Sequence, residues 1–206
     1  MLDFSKANEW KIMETDFDTT ALGKVEANFC LGNGYLGLRS ATEEKYLGET
    51  RDLLVAGTFN RFSPEEVTEL PNAADVTNIE ITLNSARFDL TQGTIQEYSR
   101  ELNIQTGLLT RKVIWTSPKG EEFVLTFERM VSLKRLHTIA ARVSVTPKED
   151  TAVTFQSGID GRVTCDGSQH FTEGEPRFYD KKYLQFTPKT IQSGITFVID
   201  ATTASM

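Results

Sequence analysis

The sequence predicts an all-β fold, a large antiparallel β-sandwich with one or two short helices. Period-2 alternation of apolar and polar residues dominates after the first 25 residues, and amphipathic helical periodicity is scarce. Breakers such as Ser117-Pro118-Lys119-Gly120 and Thr146-Pro147-Lys148-Glu149-Asp150 cut the chain into strand-length runs. The 206 residues are 39% hydrophobic and 25% charged, with 13 Phe and 5 Tyr, which excludes a disordered or collagen-like chain. A domain of this size buries roughly 70% of the surface its unfolded chain exposes, so residues 1–206 form one unit without a disulfide or metal staple.

Taken in order, the first hairpin reads as Glu26–Gly32, an Asn33-Gly34 two-residue turn, and Tyr35–Ser40, pairing Gly32 with Tyr35, Leu31 with Leu36, Phe29 with Leu38 and Asn28 with Arg39. Ser63-Pro64-Glu65-Glu66 carries an N-cap serine, a proline at the first helical position and a closing glutamate, and predicts a brief helical turn. A second hairpin, Ile79–Leu83 and Ala86–Leu90 about Asn84-Ser85, sets Leu83 against Ala86, Ile81 against Phe88 and Ile79 against Leu90 on one face. Further strands are expected at 108–116, 123–131, 136–146, 152–159, 183–187 and 195–199, about ten in all, with no internal repeat and no linker. So many antiparallel strands pack as two sheets.

A formal charge of −7 without a basic cluster opposes nucleic-acid binding. No run approaches the roughly 20 apolar residues of a spanning helix, and the first residues lack a basic stretch followed by an apolar one, so the chain reads as a soluble cytoplasmic protein without membrane contact. Cys30 and Cys165 lie far apart outside any CxxC pattern and read as reduced thiols.

The most unusual segment is 26–40, where Gly32, Gly34 and Gly37 thin out side chains around a tight turn from which Asn33, Tyr35 and Arg39 project as candidate substrate or interface residues. The alternative is that the glycines only serve the turn and Arg39 pairs with Glu43 or Glu44. The acidic pairs Glu43-Glu44, Glu65-Glu66 and Glu121-Glu122 read as solvated turn carboxylates, not catalytic groups. His170, in the polar stretch 165–173, reads as a loop histidine bonded to backbone ahead of a metal ligand, and His137 as a structural residue at a strand start. Trp10, Trp115 and Tyr35 are the aromatic candidates for a sugar platform, but Trp115 alternates with Val113 on what reads as the core face.

The run Glu26…Phe29-Cys30-Leu31-Gly32-Asn33-Gly34-Tyr35-Leu36-Gly37-Leu38-Arg39 resembles the N-terminal signature of glycoside hydrolase family 65, which includes the maltose, kojibiose, nigerose and trehalose phosphorylases. Trp10-Lys11-Ile12, Ala56–Phe59, Glu69–Asn72, Tyr98–Leu102, Gly107–Arg111 with Trp115, Glu128–Ser132 and Ile159–Val163 are similar to that family in the same order. Ser40 stands where the family commonly has glycine, and Leu102-Asn103-Ile104 where it has Leu-Asp-Met, which leaves the subgroup open.

The resemblance implies a galactose-mutarotase-like super-sandwich that precedes a helical linker and an (α/α)6 catalytic barrel. The general acid and phosphate site would lie in that barrel, so this chain reads as an excised N-terminal domain with no catalytic residue, metal or organic cofactor of its own. Its partners would be the missing barrel and, in the full-length homodimer, a second copy. The parent would cleave an α-glucosyl disaccharide with inversion, using inorganic phosphate as co-substrate. Two other readings are a carbohydrate-binding module with a sugar ligand, and an aldose-epimerase-like enzyme using His170 with Glu173 or Glu175.

Overall fold

The computed structural model describes residues 1–205. In chain order the strands are β1 (Leu2–Asp3), β2 (Lys11–Glu14), β3 (Leu31–Gly32), β4 (Leu36–Leu38), β5 (Leu53–Val55), β6 (Ile79–Leu83), β7 (Ala86–Arg87), β8 (Thr94–Asn103), β9 (Leu108–Thr116), β10 (Glu122–Val131), β11 (Ile139–Pro147), β12 (Val153–Ser157), β13 (Glu175–Tyr179), β14 (Tyr183–Thr187) and β15 (Ile199–Thr202). A 3-10 turn at Ala7–Glu9 and the helix α1 at Leu22–Asn28 are the helical pieces. Strands form a six-stranded sheet in the order β1-β2-β8-β9-β10-β11 and three smaller sheets, β12-β6-β7, β13-β14-β15 and β3-β4-β5. All strand pairs are antiparallel, as predicted. Among the described residues no helix is long and apolar enough to cross a membrane.

The core has two apolar clusters. One gathers Phe29, Leu31, Leu36, Leu38, Leu102 and Leu109 with their neighbours; the other gathers Ile81, Leu83, Phe88, Val113, Trp115 and Phe127 with theirs. The alternation of β9 and β10 generates both, because each strand turns every second side chain inward. Leu109, Arg111, Val113 and Trp115 are buried along β9, and Phe123, Leu125, Phe127, Arg129 and Val131 along β10. Trp115 is fully buried, its Nε1–H donating to the carbonyl of Gln92 at 2.7 Å, so it serves the core and not a sugar.

The second hairpin has the predicted register, Leu83 opposite Ala86, and Phe88 N–H donates to the carbonyl of Ile81. The first differs twice. Residues 22–28 are helix where 26–32 were expected as strand, because Leu22, Val25, Glu26 and Phe29 lie three or four residues apart and are all buried along one face. The turn also shifts by one residue: Leu31 pairs with Leu38 and Gly32 with Gly37, so the two-residue loop is Gly34-Tyr35. Asn33 causes the shift. Its Oδ1 accepts the amides of Tyr35 and Leu36 at 2.9 and 2.7 Å, closing the turn from its first position, while Gly34 takes φ +85°. Residues 63–66 form a single turn, and the run 195–199 bends through an isolated bridge at Thr196 before β15 begins at Ile199.

Candidate functional site

The signature segment divides into two places. Asn33 spends its remaining hydrogen-bonding capacity on the loop between β10 and β11: Nδ2 donates to the carbonyls of Ser132 and Leu136 at 2.8 and 2.9 Å. This docks the Gly34-Tyr35 turn against residues 132–138, and the Tyr35 ring stacks on His137 with centroids 4.1 Å apart and planes 12° apart. His137 is therefore an exposed loop residue before β11 that forms half of an aromatic stack, not a residue closed into a strand start.

Arg39 does not join them. Its Nε donates to Glu26 Oε2 at 3.1 Å and its Nη2 to the carbonyl of Gly23 at 2.8 Å, tying β4's end to α1. Neither Glu43 nor Glu44 is its partner, and Asn28 does not face it, because the helix replaces the expected strand. Glu26 is buried and also accepts the amide of Thr50 at 3.1 Å. Two of the signature's ends, Glu26 and Arg39, thus hold the segment's own shape.

Tyr35 and His137 border a groove of about 1190 Å³ whose walls include Leu36, Leu53, Val55, Ile139, Phe155 and Phe197, with Lys181, Lys182 and Asp200 also lining it. Asp200 is the one carboxylate among the described residues of this lining. Its Oδ1 accepts hydrogen bonds from Gln185 Nε2 and Tyr179 Oη, at 2.9 and 3.2 Å. The arrangement offers flat faces and an apolar floor. It does not offer the two facing carboxyl groups of glycoside cleavage.

Glu43 and Glu44 overturn the expectation of solvated carboxylates. Both are buried, beneath three inward arginines: Arg100 on β8 faces Arg111 on β9, and Arg129 on β10 lies two residues along from Phe127, which faces Arg111. Arg111 donates to both glutamates and lies 4.0 Å over the Phe127 ring, while Arg129 donates to Glu43 and to the carbonyl of Ala41. Arg100 donates to the carbonyl of Ser40, which is fully buried and whose own Oγ donates to the carbonyl of Phe29 at 2.7 Å. Burial opposes the charge on Glu43, but Arg129 and Arg111 outweigh it and hold the carboxyl at about 2. At Glu14 burial wins and the carboxyl is pushed up, despite the Tyr98 hydroxyl that donates to it at 2.8 Å.

His170 is buried, not a loop residue in solvent, and its partners are side chains. Glu69, Cys165 and His170 bring three possible metal ligands within 4.8 Å of one another. The surroundings do not suit a metal. Asn60 Oδ1 is fixed by the amides of Gln192 and Ser193 at 3.1 and 3.0 Å, so Asn60 Nδ2 must donate to His170 Nδ1 at 3.0 Å. The ring proton then sits on Nε2, which is 2.9 Å from Glu69 Oε1 but not aligned with it as a hydrogen bond. A metal on Nε2 requires that proton on Nδ1, donating to an acceptor that Asn60 does not provide. Burial pushes the Cys165 thiol up. Glu69, not Glu173 or Glu175, is the carboxylate beside His170, which removes the geometry expected for an epimerase pair.

Asp160 and Arg162 of the stretch 159–163 pair with each other at 2.8 Å, and Lys45 donates to Asp160 at 2.9 Å. These cations, Arg162 above all, hold the Asp160 carboxyl well below the usual carboxylate range. Cys30 and Cys165 are free thiols.

Comparison with protein-family models matches residues 12–205 to the glycosyl hydrolase family 65, N-terminal domain. Among curated relatives, the kojibiose phosphorylase of Halothermothrix orenii is 44% identical over 191 residues, covering 92% of this chain and 24% of the relative. The kojibiose phosphorylase of Escherichia coli is 34% identical over 175 residues, covering 84% of this chain and 23% of the relative. A solved structure described as a putative kojibiose phosphorylase from human microbiome superposes with a TM-score of 0.81 at 18% identity, covering 92% of this chain and 26% of that one, which shows the fold. The chain spans about a quarter of the length of the curated relatives it matches.

Proposed function

This chain belongs to glycosyl hydrolase family 65, as that family's N-terminal domain, and from that premise we propose that it is the structural and interaction domain of an inverting disaccharide phosphorylase. The whole enzyme would act in the cytoplasm on an α-glucosyl disaccharide such as kojibiose, with inorganic phosphate as co-substrate. Inverting phosphorolysis needs a carboxylic acid at the leaving oxygen and phosphate held on the opposite face. The observation that carries the division of labour is the fate of the buried acids. Glu43 and Glu44 are consumed by Arg111 and Arg129, and the groove contributes Asp200 alone among its described residues. The acid and the phosphate site then belong to polypeptide outside this segment, and the domain itself is inactive. Asn33, Tyr35 and Arg39 act as interface-shaping residues: Asn33 and Tyr35 build the surface beside the groove, and Arg39 holds the helix behind it.

The test is release of glucose 1-phosphate from kojibiose by the longer enzyme and by residues 1–206 alone. Turnover by the enzyme and none by the domain is the expected pair of results. Turnover by the domain, or an enzyme inert towards every α-glucosyl disaccharide, would end the reading.

The flat Tyr35–His137 stack also favours a second role, binding of a sugar at the groove rim. Calorimetric titration of the domain with kojibiose, maltose and trehalose decides it. Millimolar or tighter binding that Tyr35→Ala abolishes supports the role, and no heat at any concentration sinks it.

A further inference from the structure

We propose that Asn33 is a site of spontaneous covalent modification which the folded turn holds off. Where residues 132–138 let go of its side-chain amide, the Asn33-Gly34 pair deamidates, and the carboxylate left behind cannot be docked again. The inference goes beyond the proposed function and does not depend on it.

Asparagine is among the chemically labile residues, and Asn33 is the one asparagine of this sequence that precedes a glycine. In the reaction the Gly34 nitrogen bonds to Asn33 Cγ and the Cγ–Nδ2 bond breaks. The side-chain nitrogen leaves as ammonia, carrying the proton that Gly34 gave up, and water then opens the five-membered imide to aspartate or isoaspartate. The attacking side is open here. Gly34 is exposed, and a Cβ placed on it would meet nothing within 4 Å, so neither a side chain nor a neighbour shields its amide.

The leaving side is closed. Asn33 Nδ2 donates to the carbonyls of Ser132 and Leu136 at 2.8 and 2.9 Å, and Oδ1 accepts the amides of Tyr35 and Leu36 at 2.9 and 2.7 Å. A planar amide held at both ends resists the tetrahedral carbon that the attack creates, and ammonia cannot depart until both donated bonds break. Conversion then reverses the sign of the contact. A carboxylate has no proton to donate, so an oxygen stands where Nδ2 stood and meets two carbonyl oxygens in a half-buried place. Isoaspartate also adds a carbon to the main chain next to the two-residue loop between β3 and β4. Either product releases residues 132–138 and with them the stack of Tyr35 on His137.

Peptide mass mapping of the intact protein, kept in mildly alkaline buffer either folded or unfolded in urea, tests the proposal. Asn33 is expected to convert in urea, and about tenfold or more slowly in the folded protein, the protection that two donated hydrogen bonds supply. Asn33→Asp provides the second measurement, since it installs the product directly. Amides within 132–138 should exchange with deuterium faster in that variant, while those within 108–116, paired on both sides, should not change. Equal conversion in the two states, or none in urea, would overturn the proposal. So would an Asn33→Asp protein whose 132–138 amides exchange as before, because Lys134 or Arg135 of that loop would then have accepted the carboxylate. The rate comparison uses no variant and decides the matter if Asn33→Asp does not fold.

Discussion

Along β8, β9 and β10 the inward face of the large sheet carries Arg100, Arg111 and Arg129, closed over by the segment from Ser40 to Glu44, so that none of the three is more than 3% exposed. One strand further, at β11, the same face runs out into an apolar groove with no polar lock over it. The difference separates two uses of surface. Where the chain must fix its own tertiary arrangement it uses directional, charged contacts that tolerate few alternatives. At the groove it leaves apolar area, whose attraction for whatever covers it is non-directional and permissive about detail. The family signature lies mostly on the first kind of surface, since Glu26, Asn33 and Arg39 bond to their own chain.

The largest effect that would sharpen this contrast is at the lock. Arg111→Ala strands Glu44 in the interior and deprives Glu43 of one of its two cations, and is expected to cost about 3–5 kcal/mol. Urea unfolding measures it, with Lys112→Ala, the exposed neighbour on β9, as the control expected within about 0.5 kcal/mol. A loss below about 1 kcal/mol for Arg111→Ala would mean that the buried charges hold little together.

Acid should act on the same lock. Glu43 titrates at about 2 in the folded chain against 4.5 as its ordinary value, so the unfolded chain takes up the proton first. Its contribution is complete above about 4.5 and disappears as pH falls through about 2, a loss of about 3 kcal/mol. Glu14 has the opposite sign: burial raises its folded value, so its ionisation opposes folding and the opposition lifts as pH falls. Unfolding curves between pH 7 and 2 should therefore flatten at their acid end in Glu43→Gln and at their upper end in Glu14→Gln. Identical profiles for the two variants would contradict the assignment.

At the boundary between the two surfaces, Asn33→Ala removes four hydrogen bonds, two within the turn and two to the 132–138 loop. The expected cost is about 2 kcal/mol, with faster amide exchange in 132–138. Unchanged exchange there would show that the loop holds its place without the signature turn.

How much of this could be read from sequence depends on the kind of signal. Strands β9 and β14 and the 83–86 turn match their predicted positions because alternation and turn residues are local. The register of β3 with β4 escaped because a two-residue shift leaves Leu31, Leu36 and Leu38 on the same face, so hydrophobic pattern is blind to it. Strand β8 escaped because its ten residues include only Ile95, Tyr98 and Leu102 as large apolar groups. The ionic lock was legible and missed. The parity that placed Val113 and Trp115 inward places Arg111 inward too, and an inward arginine demands buried acids, which Glu43-Glu44 supply. What no local pattern contained is the pairing of Asn60 with His170 or of Asn33 with Leu136, contacts between residues more than 100 positions apart.

The smallest expected effect is the one most able to break the comparison. Phe178 on β13 lines the groove and is 64% exposed, so Phe178→Ser removes an apolar ring that the 206-residue chain does not bury. Its unfolding free energy should shift by no more than about 0.5 kcal/mol, an order of magnitude below the effect at Arg111. The same substitution should reduce self-association of the chain, because it shrinks the exposed apolar face, and light scattering against concentration reads that directly. A destabilisation above about 1 kcal/mol would show that this ring belongs to the chain's own core. The groove would then be ordinary interior relaxed at its margin, and the distinction between a locked surface and an open apolar one would fail.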